Sequence, residues 1–220
     1  MLIGLVGFIG SGKGTVSDLL VEKHGFIKES FASPVKDAIS VIFGWDRSLL
    51  EGDTIQSRAW REQPDAYWSK KFGKEFSPRQ ALQLMGTEAG RGVFGDTLWV
   101  SSLEKRLDSD KNYVIADVRF PNEIETIHDM GGKVIRIKRG QNPEWYNLAF
   151  DVNTKKDYYG MATAYPDVHY SEWAWIGSYI DVSLDNNGEL LELERRVDTL
   201  LDNLYNKHVE DYDPSEVVSL

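Results

Sequence analysis

Cysteine is absent from the sequence, and its absence excludes disulfides, thiolate nucleophiles and zinc–cysteine sites together. Such a chain suits a reducing compartment, and a cytoplasmic location is the expectation. Histidine is scarce, with four residues scattered along the chain, and they form no cluster of metal ligands. No apolar run approaches the roughly 18 residues that a membrane-spanning helix needs. The chain opens on a core-type strand rather than on a basic segment followed by an apolar one, so no membrane partner is expected. Positive charge is in deficit: 25 lysines and arginines face 35 aspartates and glutamates, for a net charge of −10. Duplex binding relies on cations that replace condensed counterions, so long nucleic acid is not an expected partner. A small anion in a locally basic cleft remains compatible with an acidic exterior.

What is present is a chain of 220 residues, long enough for one core domain with inserted lobes. It holds no internal repeat. Apolar and β-branched runs at Leu2 to Val6, Gly25 to Ser30, Tyr113 to Ala116, Lys133 to Lys138 and Tyr179 to Leu184 read as strands. Helical spacing fills the intervals at Lys13 to His24, Pro34 to Phe43, Pro78 to Gly92, Thr97 to Leu107 and Pro121 to Met130. A last stripe joins Leu190, Leu193, Val197, Leu200, Leu201 and Leu204. Ser33-Pro34 and Ser77-Pro78 each put a capping hydroxyl before a proline. Ser77 with Gln80 matches a capping box, and Asn186 with Glu189 resembles another. Strands alternating with helices predict an α/β, three-layer fold: a parallel sheet of about five strands, covered on both faces, with ligands beyond its carboxyl edge. The core domain is expected over residues 1–206. Residues 44–76, polar and tryptophan-bearing, and 140–177, crowded with aromatics and glycines, read as inserts. Residues 207–220 read as an acidic, solvated tail.

The first strand runs into Gly7-Phe8-Ile9-Gly10-Ser11-Gly12-Lys13 and then into a helix. Two glycines with four residues between them, followed by lysine, fit the phosphate-binding loop, and the strand–loop–helix context makes the match specific. Glycines let backbone N–H groups turn toward phosphate oxygens, the helix presents its positive end, and Lys13 adds a mobile cation. The expected fold is therefore that of the P-loop NTPases. Gly14 stands where a serine or threonine normally follows the lysine, and Thr15 comes one place later. Gly10-Ser11-Gly12-Lys13-Gly14-Thr15 resembles the loop of nucleoside monophosphate kinases such as adenylate kinase. That likeness implies that Thr15 contacts phosphate and that magnesium is held largely through water.

Further segments carry polar residues where an acceptor could bind. "FASPVKDAI", Phe31 to Ile39, follows the second strand and contains Lys36. On the helix from Pro78, Arg79, Gln83 and Thr87 recur every four residues on one face, while Leu82, Met85 and Ala89 share another. The same pattern also describes an ordinary amphipathic helix. In "YVIADVRFPNE", Tyr113 to Glu123, Asp117 ends a strand where a carboxylate can orient magnesium or cap the next helix, and Arg119 follows. "VIRIKRG" ends with Arg139 just before the aromatic insert, and "HYSEW", His169 to Trp173, comes later.

In this order these segments resemble the deoxynucleoside monophosphate kinases of tailed phages, from about Leu2 to Leu204. Animal-type phosphomevalonate kinases share part of the pattern. The resemblance implies ATP with Mg²⁺ as donor and a deoxynucleoside 5′-monophosphate as acceptor, in deoxynucleotide biosynthesis. A ribonucleotide or isoprenoid phosphate acceptor, or a nucleotide-driven switch, are the alternative functions. Under this resemblance Lys13 stabilises the transferring group, Gly10 to Thr15 cradle the donor phosphates and Asp117 positions magnesium. Arg119 and Arg139 neutralise charge between donor and acceptor. Lys36, Arg79, Gln83, Thr87 and Arg91 face the acceptor, with Arg58 and Arg61 as further candidates. The segment 140–177 is a lid whose Trp145, Tyr158, Tyr159, Trp173 and Trp175 either stack on a base or pack a small lobe. His169 and Glu172 match the family without a mechanistic account, and a homodimer is a frequent assembly for such enzymes.

Overall fold

The computed structural model describes residues 1–155 and 159–210. In chain order it contains β1 (Leu2–Val6), α1 (Lys13–His24), β2 (Ile27–Glu29), α2 (Ser33–Phe43), α3 (Ile55–Glu62), α4 (Ala66–Phe72) and α5 (Pro78–Leu84). A π-helix (Met85–Arg91) runs directly into α6 (Gly92–Phe94), followed by α7 (Leu98–Arg106), β3 (Tyr113–Ile115), α8 (Pro121–Asp129) and β4 (Lys133–Lys138). The chain continues through α9 (Tyr146–Lys155), α10 (Tyr159–Ala164), a 3-10 turn (Tyr170–Glu172), β5 (Val182–Asp185) and α11 (Leu190–Glu210).

The five strands form one parallel sheet in the order β2-β3-β1-β4-β5. Alternation along each strand divides its side chains between two cores. On one face Ile3, Leu5, Val114, Ile135 and Ile137 pack with α1 and α11 through Val16, Leu20, Leu193 and Val197. On the other, Leu2, Val6, Tyr113, Ile115 and Val134 pack with Leu103 of α7, Ile124 and Ile127 of α8, and Val152, Met161, Trp173 and Trp175 from the second insert. A third, smaller core joins Val35 and Ile39 of α2 to Trp45, Leu50, Phe76 and Ala81, with Phe43, Trp60 and Trp68 against it. The first insert therefore has its own aromatic nucleus, whereas the second is folded into the main core.

Three sequence expectations are corrected. The helix expected over Pro78 to Gly92 is not regular: its middle is a π-helix. Gly90 lets Trp99 close on the backbone there, since a Cβ would overlap the indole, and Trp99 Nε1 donates to Gly86 O at 2.8 Å. Tertiary packing thus outweighs the α-helical register, as is frequent for π segments near functional sites. Ser33 does not cap α2, because the helix already includes it and its cap is Ala32. Asn186 does not cap α11 either: it is drawn inward to the phosphate-binding loop, and its Nδ2 donates to Ser11 O at 2.8 Å. The Ser77–Gln80 capping box is present as read. Residues 211–220 of the expected tail lie outside the described residues.

Candidate active site

The loop between β1 and α1 is fixed by backbone conformation and by its neighbours. Gly12 has φ +99°, and a Cβ there would collide with Asn186 Nδ2. Gly7 has φ +145°, and its Cβ would lie 2.5 Å from Ile137 O. Only glycine combines that conformation with so close an approach. Asn186 N donates to Lys138 O at 2.7 Å, so the same residue joins the ends of β4 and β5 to the loop. The first N–H groups of α1 have no intrahelical acceptor and form a positive helix end beside the loop. Lys13 Nζ donates to Gly7 O at 2.6 Å and Phe8 O at 3.0 Å. Burial lowers its pKa to about 8, Arg119 acts in the same direction and Glu172 opposes them. Thr15 is exposed in the first turn of α1, and Gly14 has open space where a side chain would be.

The segment after β3 supplies a second group. Asp117 Oδ2 accepts from Ser30 Oγ at 2.5 Å and Ala32 N at 3.3 Å, and Oδ1 accepts from Phe31 N at 3.3 Å. It therefore fixes the entry to α2. Glu123, at 4% exposure, accepts through Oε2 from Arg119 N at 2.7 Å and Phe120 N at 3.1 Å. Its Oε1 lies 3.7 Å from Arg91, whose guanidinium also sits over the Phe120 ring at 4.8 Å. Burial first and then Asp117 raise the Glu123 pKa to about 7, against the two backbone N–H bonds and Arg91. One buried carboxylate thus orders two arginine-bearing segments.

The second insert meets these residues from the other side. Gly7, Ile9, Lys13, Val118, Arg119, Ser171, Glu172 and Trp175 line a narrow cleft of about 20 Å³. Arg119 NH1 donates to Glu172 Oε1 at 3.2 Å and Ser171 Oγ at 3.3 Å. His169 Nδ1 accepts from Ser171 N at 3.2 Å, a local turn bond. Of the two alternatives for the insert's aromatics, packing holds for Trp173 and Trp175, which are buried in the main core, and for Trp145, which packs edge-on against Phe8 with ring centroids 5.4 Å apart. Tyr158 and the Tyr159 side chain lie outside the described residues. Arg139 is exposed, does not line the cleft and has no hydrogen bond or ion pair among the described residues. A second guanidinium, that of Arg136 on β4, meets the loop, 5.8 Å from the Phe8 centroid and between Tyr146 at 5.0 Å and Trp175 at 5.1 Å.

The remaining candidates lie on or beside the first insert. Lys36 of α2 is paired with Glu51 at 2.6 Å, and Glu51 also pairs with Arg47. Arg79 lies 4.0 Å from Glu62. Gln83 and Thr87 are exposed on α5 and the π-helix. Arg58 donates to Gly52 O at 2.9 Å and Asp53 O at 3.2 Å. Arg61 is half-buried, its Nε is enclosed without a partner, and it makes no ion pair among the described residues. Burial first, then Arg79 and Arg58, lower its pKa, while Glu62 and Glu51 oppose them. Sequence reasoning gives no functional role to Glu123 or Arg136 and reads Asn186 only as a helix cap. Glu123 carried a signal, an acid at the third position of a helix that opens on proline.

A parallel sheet in the order 2-3-1-4-5 with a glycine loop joining its central strand to α1, and with Lys13 and Arg119 on one cleft beyond it, belongs to a P-loop kinase. No family model matches the chain. A protein of Acanthamoeba polyphaga mimivirus assigned as a deoxynucleotide monophosphate kinase is 35% identical over an alignment of 154 residues, covering 63% of this chain and 74% of that protein. The deoxynucleoside-5′-monophosphate kinase of Escherichia phage T5 is 31% identical over 180 residues, covering 59% of this chain and 72% of that protein. The chain belongs to the deoxynucleoside monophosphate kinase family. Among solved structures, dephospho-CoA kinase from Campylobacter jejuni is similar at a TM-score of 0.44 and 13% identity, covering 94% of this chain and 98% of that one. The fold assignment rests on the sheet order and the loop rather than on that likeness. No helix among the described residues is long and apolar enough to cross a membrane.

Proposed function

We propose that this chain transfers the γ-phosphoryl group of ATP to a deoxynucleoside 5′-monophosphate, giving ADP and the diphosphate. Beyond family membership, the observation that carries this reading is that Lys13 and Arg119, from two different strand ends, line one cleft. The acceptor oxygen belongs to a phosphate that is already ionised near neutral pH, so the reaction needs no general base. Catalysis consists of alignment and charge neutralisation during in-line transfer. The loop from Gly10 to Thr15 cradles the donor phosphates, and Lys13 exchanges its carbonyl partners for phosphate oxygens. Arg119 and Arg91 are placed by Glu123 to meet charge between donor and acceptor. Arg61, half-buried and without an ion pair among the described residues, with Arg79 and Arg58 adding positive charge around it, is the strongest candidate for the acceptor phosphate, because a planar guanidinium suits phosphate oxygens. Lys36, Gln83 and Thr87 complete the acceptor side.

Magnesium fits this arrangement as an ion carried on the nucleotide phosphates. One strand-end carboxylate with remaining lone pairs, Asp117, and one exposed hydroxyl, Thr15, match the few, partly water-mediated protein ligands that Mg²⁺ takes at phosphoryl-transfer sites. When bound, the ion neutralises charge on the donor phosphates. The test is conversion of a panel of deoxy- and ribonucleoside monophosphates to diphosphates with ATP and Mg²⁺, followed by chromatography. Stoichiometric deoxynucleoside diphosphate and ADP are the expected products. ADP release at the same rate with and without every acceptor would overturn the proposal.

A further inference from the structure

Phosphoryl transfer does not by itself call for a carboxylate beside the P-loop lysine, since a carboxylate repels phosphate oxygens. Glu172 nevertheless lines the cleft with Lys13 and Arg119. Its backbone is firmly held. Trp175 Nε1 donates to Glu172 O at 3.1 Å, and Trp175 is buried against Phe8 of the loop. Asn153 Nδ2 donates to Trp173 O at 2.9 Å and Ile176 O at 2.7 Å, which clamps the chain just after the turn. His169 Nδ1 accepts from Ser171 N at its start. From this platform Ser171 Oγ and Glu172 Oε1 both accept from one nitrogen of Arg119, NH1. The NH2 and Nε edge of Arg119 makes no hydrogen bond among the described residues.

An ion pair as exposed as this one adds little to stability. Two acceptors on a single nitrogen, carried by an anchored turn, fix an orientation instead. Lys13 and Arg119 also repel one another across the same small cleft, and Glu172 is the anion that shares it. We propose that Glu172, with Ser171, is a positioning residue: it holds NH1 of Arg119 so that the remaining guanidinium edge is presented to the phosphoryl group held by Lys13. Glu172 acts through Arg119 and does not itself touch the reacting atoms. The proposal rests on the kinase reading above and gives the His169-x-Ser171-Glu172 segment its role.

The test compares diphosphate formation by the wild type, Glu172→Gln, Glu172→Asp, Arg119→Ala and the Arg119→Ala/Glu172→Gln double variant. Glu172→Gln is expected to lower kcat about tenfold, with both KM values within about twofold, because orientation rather than ground-state binding is lost. Glu172→Asp should recover part of that loss. In the Arg119→Ala background the second substitution should cost nothing further. An unchanged kcat in Glu172→Gln, or a full multiplicative loss in the double variant, would overturn the proposal. The side-chain ¹⁵N–¹H resonances of Arg119, assigned with Arg119→Lys, provide a readout that needs no turnover. They should be protected from exchange in the wild type and lose that protection in Glu172→Gln, and equal protection in both would overturn the proposal. If the wild type forms no diphosphate with any acceptor, the kinase reading fails, and the Arg119 spectra still decide the role of Glu172.

Discussion

Around Lys13 the geometry is set by backbone: Gly7 and Gly12 adopt positive φ, strand ends crowd them, and Asn186 ties the loop to β4 and β5. Around Arg61 it is set by side chains. Arg58, Arg61 and Arg79 come from two helices of separate segments and are gathered by an aromatic nucleus of Trp45, Trp60, Trp68 and Phe76. A loop made of N–H groups binds whatever carries phosphate, so the donor side is generic. A cluster of guanidinium groups on or beside an insert can be rearranged without disturbing the sheet, so the proposed reading puts selectivity for the acceptor there.

Substitutions on the donor side should therefore have the largest effects. Lys13→Ala is expected to lower kcat by about 10²–10³-fold with the fold intact, because a donor aimed at developing charge is lost. Initial rates and a thermal melt check this, and a rate near the wild type would break the donor assignment. Gly12→Ala meets both a positive φ and the side chain of Asn186. It should cost on the order of 1–3 kcal/mol of stability and weaken ATP binding, read by denaturant unfolding and an ATP titration.

Glu123 sits between the two regions. Its proton is held more tightly in the fold than in the unfolded chain, which releases it near the ordinary value of 4.5. The wild type should therefore lose stability as pH rises from about 4.5 to about 7. The amount is on the order of 3 kcal/mol. Glu123→Gln should flatten that slope in pH-dependent unfolding, and an unchanged slope would place the titrating group elsewhere. The smallest effect is expected from Arg139→Ala, since Arg139 is exposed and makes no ion pair among the described residues. Its kcat/KM should stay within about threefold of the wild type.

Much of the donor side was legible in the sequence. All five strands lie within or beside the apolar runs, and the glycine loop stands between strand and helix as its spacing requires. The legible features are local: periodicity, caps and a loop whose chemistry is written in consecutive residues. What was missed depends on packing between distant segments. The π-helix exists because Trp99 closes on Gly86 and Gly90. Asn186, read as a cap, serves a loop 175 residues away in sequence. Arg136 shares the face of Val134 on an internal strand and points to the second insert, while Arg139 lies past the strand end. A charge on a core face of that strand was the available signal for choosing between them. The aromatics of residues 140–177 showed that something is packed there, but composition does not reveal that the packing partner is Phe8 of the loop.

The contrast between a generic donor loop and a selective acceptor insert is tested most directly by Arg61→Ala. Initial rates are measured over a matrix of ATP and deoxynucleoside monophosphate concentrations. The account predicts that KM for the monophosphate rises by about tenfold or more, as for a lost charge-assisted phosphate contact, while KM for ATP stays within about twofold. An unchanged KM for the monophosphate, or an equal rise in both constants, would contradict it.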